Sequence, residues 1–263
     1  MTSSPLSPTA IAAARAAHDA ITIEVVAETG STNADLMARG AAGTLAAPLL
    51  LIAEYQSAGR GRAGRSWLSE PGNALTFSLA WRFSGGAQRL LGLPLAVGVA
   101  LAEALAGLDV PVQLKWPNDV LKDGAKLAGI LIETQNCPGS TRAVIGIGLN
   151  LVIPDDLEQR IGREVAAAPW LARMDRNLLM ASLLDALVAA LGEFERDGFA
   201  AFARRWNLLH GWAGQKVRIV DNGVVLQQGA AAGVDDSGRL LLDTEQGRVA
   251  VAAGDVSLRL DTD

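Results

Sequence analysis

Residues 49–82 read LLLIAEYQSAGRGRAGRSWLSEPGNALTFSLAWR. The stretch begins with the mostly apolar run Leu49–Tyr55 and ends with the alternating segment Ala74–Arg82, and both patterns are typical of β-strands. Between them, the nine residues from Gly59 to Trp67 contain three arginines and three glycines. Glycine lets a backbone approach a ligand closely, and arginine binds phosphate or carboxylate through paired hydrogen bonds. The stretch therefore predicts two strands joined by an anion-binding loop, whose closing tryptophan adds an aromatic face that suits a nucleotide.

The composition of the chain narrows the class of ligand that this loop is expected to bind. The chain has 263 residues, a net charge of −5 and a pI near 5.2, and half of its residues are hydrophobic. A dedicated nucleic-acid binder would usually present a basic face, so a basic loop in an acidic chain indicates a small anionic ligand. The single Cys137 excludes an intramolecular disulfide. No signal peptide or membrane-spanning run is apparent in the sequence, which predicts a cytoplasmic protein with no membrane partner.

Strands and helices alternate without a regular βαβ rhythm, which predicts an α+β fold. Residues 1–8 are rich in Ser and Pro and are expected to be disordered. Further strands are expected at Ile23–Val26, Val112–Trp116, Lys126–Gln135 and Arg142–Leu151, and helices at Ala10–Ala20, Asn33–Arg39, Leu90–Leu108 and Asn177–Arg205, the last with a second helix after Gly198. Short strands with sharp turns end the chain and predict a small β-barrel. The expected regions are a tail with a short helix over 1–20, a large domain over 21–212 and a small domain over 213–263.

Polar motifs flank the arginine loop on both sides. Thr32, followed by Asp35, resembles a helix N-cap with an acidic partner, but the N–H groups of a helix N-terminus also bind polar ligand atoms. Lys115 and Asp119 enclose a turn at the end of a strand and are either a surface ion pair or part of a site. Lys126 enters an apolar strand, where it either extends outward to solvent or points into a pocket.

These motifs, in this order, resemble those of the biotin–protein ligases over residues 21–260. The resemblance rests on Gln56 and on six motifs, which are Gly-Ser-Thr-Asn at 30–33, Gly-Arg-Gly-Arg-x-Gly-Arg-x-Trp at 59–67, Lys-Trp-Pro-Asn-Asp at 115–119, Lys-Leu-Ala-Gly-Ile-Leu-Ile-Glu at 126–133, Gly-Ile-Gly-Leu-Asn at 146–150 and Gly-Asp-Val-Ser at 254–257. It implies a catalytic domain like that of class II aminoacyl-tRNA synthetases, with a mixed sheet, followed by an SH3-like barrel.

The implied reaction is ATP-dependent activation of biotin to biotinyl-5′-AMP, followed by transfer of biotin to a lysine of a biotin carboxyl carrier protein domain. Mg²⁺ would arrive with ATP, without a metal site built from the protein. Only 29 residues precede Gly30, which indicates the monofunctional type that lacks an N-terminal winged-helix domain and has no DNA partner. Monomer and homodimer both remain open. The competing interpretations are a lipoate–protein ligase, a non-catalytic biotin-sensing regulator and a nucleic-acid-binding module that uses the loop.

The resemblance also implies roles for individual residues. The implied catalytic residues are Lys126, Arg62 and Asp119. The implied biotin-binding residues are Ser31, Thr32, Asn33, Gln56, Arg60, Gly61, Arg62, Lys126 and Gly129. The implied ATP- or adenylate-binding residues are Arg60, Arg62, Arg65, Trp67, Lys115, Asn118, Lys126 and Asn150. Asp119 would either hold Lys126 or assist the incoming carrier lysine, and Trp67 would either pack near adenine or belong to the core.

Overall fold

The computed structural model describes residues 5–17, 19–154, 156–162 and 164–261. The helices are α1 (Pro8–Ala14), α2 (Thr32–Ala41), α3 (Leu93–Ala106), α4 (Leu157–Ile161), α5 (Arg176–Asp197) and α6 (Ala200–Leu208). The strands are β1 (Thr22–Thr29), β2 (Leu49–Gln56), β3 (Ala74–Ser84), β4 (Gln113–Lys115), β5 (Asp119–Lys122), β6 (Ala125–Cys137), β7 (Ser140–Asn150), β8 (Lys216–Asp221), β9 (Val224–Val234), β10 (Leu240–Thr244), β11 (Gly247–Val251) and β12 (Ser257–Leu260). Every strand and helix named from the sequence is present, with its ends shifted by a few residues.

The larger sheet has the strand order β1-β2-β3-β7-β6-β5-β4. Strands β1 and β2 run parallel, and the other neighbouring pairs run antiparallel. Asp123 and Gly124 both have positive φ and join β5 to β6 as a two-residue hairpin turn, the geometry that an Asp-Gly pair favours. A mixed sheet covered by helices confirms the α+β prediction.

This sheet is buried on both faces along Leu49–Ala53, which explains why these five residues of β2 are all apolar. Leu50 and Ile52 face a large core built with α1, α3 and α5, whereas Leu49 and Leu51 face a smaller core built with Leu36 of α2. Successive side chains of a strand point to opposite faces, so a strand buried on both sides is apolar at every position.

Small residues on the α2 face leave space above the centre of the sheet. Thr76 and Ser78 of β3 lie opposite Gly148 and Gly146 of β7 in the antiparallel register. Their neighbours in sequence, such as Phe77 and Ile147, belong to the large core on the other face. The alternation therefore creates a hollow on one side of the sheet and a packed core on the other.

The smaller sheet is antiparallel, with the order β11-β10-β9-β8-β12. The two sheets are connected by Trp116, whose side chain is fully buried and whose Nε1–H donates to the carbonyl of Gly238 at 3.1 Å. They lie on either side of residue 213, where the sequence predicts a domain boundary, and the exact limits of the domains stay a prediction.

The N-terminal segment corrects one expectation. Residues 1–4 of the segment expected to be disordered lie outside the described residues, but the part from Pro5 to Pro8 is packed against the fold. Leu6 is buried. The Asn177 side chain accepts a hydrogen bond from the backbone N–H of Ser7 at 2.8 Å and donates to the carbonyl of Pro5 at 3.2 Å. A helix 170 residues away thus holds a segment whose composition alone indicates disorder.

Two further expectations were wrong in detail. Helix α1 ends before Arg15 instead of reaching Ala20, because the Arg15 guanidinium turns to pair with Asp185 at 2.7 Å and Asp19 at 2.5 Å. Strand β5 was not expected at all, since the polar start of this short strand has the appearance of a turn.

Two helical segments, Ala87–Ala106 and Arg176–Asp197, are long and apolar enough to cross a membrane by length and composition. They are 61% and 56% buried inside the fold. Helix α3 packs against α5, α6 and the larger sheet. Their apolar character is therefore accounted for by the core.

Candidate active site

A cavity of about 940 Å³, counted to its open mouth, lies on the α2 face of the larger sheet. Of the fifteen residues that the resemblance implies, the structure brings all but Asn150 to the cavity wall, and these are Ser31, Thr32, Asn33, Gln56, Arg60, Gly61, Arg62, Arg65, Trp67, Lys115, Asn118, Asp119, Lys126 and Gly129. Segments separated by almost a hundred residues in sequence thus meet around one space.

The arginine loop closes one side of the cavity as a small hairpin. The backbone N–H of Gly61 donates to the carbonyl of Arg65 at 2.7 Å, and that of Trp67 donates to the carbonyl of Gly59 at 2.9 Å. A Cβ at position 59 would lie 2.5 Å from the Trp67 carbonyl oxygen, so only glycine allows this crossing. The hairpin holds the arginine side chains at defined positions.

Two of these arginines also reach the smaller sheet. Arg62 donates to Asn118 Oδ1 at 3.1 Å and to the carbonyl of Gly254, and Arg65 donates to Ser257 Oγ. Burial lowers the pKa of the Arg62 guanidinium, and the nearby Asp119 carboxylate acts against that change. A partly desolvated cation favours an anionic ligand. Residues 256–259 line the cavity as well, a contribution from the smaller sheet that sequence reasoning did not assign to the site.

Two lysines converge on one carboxylate deeper in the cavity. Lys126 Nζ lies 2.5 Å from Asp119 Oδ1, and Lys115 Nζ lies 3.7 Å from Asp119 Oδ2. The β4–β5 register pairs Lys115 with Asp119, and Lys115 also lies 4.4 Å from the centroid of the Trp212 ring. All three charged side chains are at most 16% exposed. Lys126 therefore points into the cavity, and the cluster keeps a net positive charge that attracts anions.

The beginning of α2 differs from the sequence prediction by one residue. Ser31 is the N-cap, and its hydroxyl oxygen accepts from the backbone N–H of Ala34 at 3.4 Å. Thr32, which the sequence suggested as the cap, is the first residue of the helix. Asp35 instead accepts from the Thr29 hydroxyl at 2.6 Å. This shift leaves the Thr32 hydroxyl available for interactions with the sheet.

A chain of polar contacts crosses the floor of the cavity. The Thr32 hydroxyl oxygen lies 3.1 Å from Gln56 Oε1 and 2.6 Å from Ser78 Oγ, and Gln56 Oε1 also accepts from the Thr32 backbone N–H at 2.8 Å. Ser78 donates to Asn33 Oδ1 at 2.7 Å, and Asn33 Nδ2 donates to Glu133 Oε2 at 2.9 Å. These contacts fix the orientation of both side-chain amides.

Sequence reasoning missed two members of this chain. Ser78 is fully buried, and its only signal was a hydroxyl inside a largely apolar strand. Glu133 ends the motif that begins at Lys126, and its Oε1 accepts from Arg60 Nη2 at 3.0 Å. The partner of each residue lies on a different element, so the sequence alone does not pair them.

Trp67 forms a flat wall over the glycines of the sheet. A Cβ at Gly148 would lie 2.3 Å from the Trp67 ring, and one at Gly129 would lie 3.2 Å from it. Lys126 Nζ lies 5.8 Å from the ring centroid. The ring therefore both packs on the sheet and lines the cavity.

Asn150 lies outside the cavity wall. Its side-chain amide donates to the carbonyls of Lys126 and Ala166 at 3.4 Å and 3.1 Å. It supports the backbone beneath Lys126 instead of facing the cavity. Within the described residues, no group of three or more His, Cys, Asp or Glu side chains is arranged to hold a metal ion.

Comparisons with known proteins agree with this arrangement. Residues 28–150 match the model of the biotin/lipoate A/B protein ligase family, and residues 213–259 match that of the biotin protein ligase C-terminal domain. The chain is 38% identical to the biotin–[acetyl-CoA-carboxylase] ligase of Mycobacterium tuberculosis over 244 residues, which cover 89% of this chain and 88% of that protein. It is 35% identical to the bifunctional ligase/repressor BirA of Escherichia coli over 249 residues, covering 92% and 75% of the two chains.

The chain belongs to the biotin protein ligase family. Among solved structures of this family, the biotin protein ligase from Aquifex aeolicus in complex with biotin and ATP superposes with a TM-score of 0.76 at 28% identity, covering 91% of this chain and 99% of that one. The biotin protein ligase fold, with its class II synthetase-like mixed sheet, is therefore the fold of this chain as well.

Proposed function

We propose that this protein is a biotin–protein ligase that activates biotin with ATP and transfers it to a lysine of a biotin carboxyl carrier protein domain. The observation that supports this proposal most is that one cavity joins a floor of hydroxyl and amide groups to a cluster of partly buried cations. A neutral polar ring and a phosphate anion require these two environments side by side.

The floor of the cavity suits the ureido ring of biotin. Thr32 and Gln56 offer oxygen acceptors, while Ser31, Asn33 and Arg60 line the same end. A ureido group both donates and accepts hydrogen bonds, which this mixture of hydroxyl, amide and guanidinium groups matches. Gly146 leaves room for the Asn33 side chain against the sheet, and Gly129 leaves room for those of Lys126 and Trp67.

The cationic end suits the acyl phosphate of an adenylate. Lys126, Arg62 and Lys115 all line the cavity around Asp119. MgATP enters as the substrate, with the metal ion held mainly by phosphate and water, which agrees with a site rich in cations. Trp67 offers a ring face for the adenine, and Asn118 offers an amide for the ribose or phosphate.

Two steps follow from these assignments. In the first, the biotin carboxylate oxygen attacks the α-phosphorus of ATP, the bond to the β-phosphate oxygen breaks, and pyrophosphate leaves. Lys126 and Arg62 stabilise the negative charge that accumulates on the phosphoryl oxygens, and Asp119 holds Lys126 in position. In the second, the carrier lysine amine attacks the biotinyl carbonyl and AMP leaves with the phosphoryl oxygen, while the amine proton passes to solvent.

ATP–pyrophosphate exchange tests this proposal. We expect exchange with biotin and none with lipoate, followed by transfer of labelled biotin to a carrier domain that retains its target lysine. A carrier domain with that lysine replaced by arginine is the matched control and should stay unlabelled. Exchange with lipoate alone would assign the protein as a lipoate ligase, and biotin binding without exchange would assign a biotin sensor. We propose a cytoplasmic location, where both substrates are present.

A further inference from the structure

We infer that Ser78 is a positioning residue that makes Thr32 present an oxygen acceptor to one ureido N–H of biotin. This inference rests on the proposed function, since it names the ligand atom that the site recognises. It rests on the number of hydrogen-bonding protons that the hydroxyl and amide groups of the polar chain on the cavity floor have to share.

The orientation of the Asn33 side-chain amide determines which way the Ser78 hydroxyl donates. Its Nδ2 faces two acceptors, Glu133 Oε2 at 2.9 Å and the carbonyl of Leu131 at 3.4 Å. Its Oδ1 must therefore face Ser78, 2.7 Å away, and Ser78 must donate to it. A hydroxyl carries a single proton, so Ser78 has none left for Thr32.

The contact between the two hydroxyls then has a fixed direction. Thr32 Oγ1 and Ser78 Oγ lie 2.6 Å apart, so Thr32 supplies the proton of that bond. The single Thr32 hydroxyl proton then has two acceptors within reach, Ser78 Oγ at 2.6 Å and Gln56 Oε1 at 3.1 Å, and the shorter contact takes it. Gln56 Oε1 already accepts the Thr32 backbone N–H at 2.8 Å. Two lone-pair-bearing oxygens thus lie side by side at the cavity wall, with no proton between them.

Such a pair of oxygens favours a ligand N–H. Two adjacent acceptors repel each other until a donor binds to both, and the ureido ring supplies a donor of this kind. If Ser78 lost its hydroxyl, Thr32 would turn its proton towards Gln56 and the acceptor pair would disappear.

Ser78→Ala tests the inference, with Thr76→Val as its matched control. Thr76 lies two residues earlier on β3, is equally buried and donates to the carbonyl of Ala53 at 3.0 Å, but does not line the cavity. We expect the Kd of biotin, measured by calorimetry, to rise about tenfold in Ser78→Ala, the size of one hydrogen bond to a ligand. The maximal exchange rate at saturating biotin should stay within about twofold, as should the Kd of Thr76→Val.

Two further measurements separate positioning from a structural effect. In a Thr32→Val background, Ser78→Ala should cause no additional rise in Kd, because Ser78 acts through Thr32. Wild-type protein should also discriminate against a biotin analogue methylated at one ureido nitrogen, and Ser78→Ala should reduce that discrimination.

Three results would each overturn the inference: a Kd for Ser78→Ala within twofold of wild type, an equal rise in Kd for Thr76→Val, or additive effects of the Thr32 and Ser78 substitutions on Kd. In each case, biotin-dependent exchange by the wild-type protein would still support the proposed function. Wild-type protein that neither bound nor activated biotin would overturn both.

Discussion

Replacing Lys126 by methionine removes one of the two ammonium groups beside Asp119 and keeps a side chain of similar length against Trp67. The Lys126 side chain is 16% exposed, so its charge acts across a partly desolvated cavity. At about 4 Å and an effective dielectric constant of about 20, one unit charge contributes roughly 4 kcal/mol to a phosphoryl anion. That free energy corresponds to a rate decrease of about a thousandfold for adenylate formation.

The fold should tolerate this change, because Lys115 still lies 3.7 Å from the Asp119 carboxylate. We expect the free energy of unfolding to fall by only about 1 kcal/mol, as for other partly exposed ion pairs. The assay is single-turnover formation of biotinyl-AMP at saturating biotin, with thermal unfolding followed in parallel. Lys122→Met is the control, since Lys122 pairs with Asp123 outside the cavity and should leave the rate within about twofold. Adenylation by Lys126→Met within tenfold of wild type, in a folded protein, would refute the role given to its charge.

Three other predictions use different features. Gly148→Ala places a Cβ 2.3 Å from the Trp67 ring, so it should lower the free energy of unfolding by about 1–3 kcal/mol and weaken ATP binding. Gly86→Ala is the control, because a Cβ there has nothing within 4 Å and should change neither quantity. Thermal unfolding and ATP titrations check both variants. Burial lowers the pKa of the His210 imidazole to about 4, so the unfolded chain binds a proton that the folded chain excludes between pH 6.5 and about 4. The free energy of unfolding should therefore decrease by on the order of 3 kcal/mol as pH falls through that window, and chemical unfolding of His210→Phe should show a weaker dependence. Biotinyl-AMP should slow hydrogen exchange in residues 59–67, because the arginine hairpin closes over the adenylate, and equal exchange with and without the adenylate would contradict that closure.

The arginine loop illustrates which features of the site could be predicted from the sequence and which could not. Its charge and glycine content predicted an anion-binding loop between two strands. The loop does lie between β2 and β3 at the cavity wall, and anion binding stays a prediction. The conformational freedom of glycine and the charge of arginine are properties of the residues themselves, so they can be predicted from the sequence. The loop's attachment to the smaller sheet, through Gly254 and Ser257, was not predicted, because nothing in the local sequence shows which distant backbone it will meet.

Short polar segments were the least predictable. The strand beginning at Asp119 has the appearance of a turn and becomes a strand because β4 and β6 pair with it on both sides. The segment around Leu6 has the composition of a disordered tail but is held by Asn177. In both cases tertiary contacts outweigh a weak local preference.

The sequence by itself determined the α+β class, the apolar strand at Leu49–Tyr55 and the residue types that carry charge and hydrogen bonds to the site. These follow from periodicity and from side-chain chemistry, which are local properties. Only the tertiary structure decided that Lys126 points inward to Asp119 and that Asn150 supports the backbone beneath Lys126. It also decided that Ser78 lines the cavity and that Glu133 accepts from Asn33 and Arg60. Those facts depend on the register between strands and on the packing of α2 over the sheet. Both are set by contacts between residues far apart in the chain.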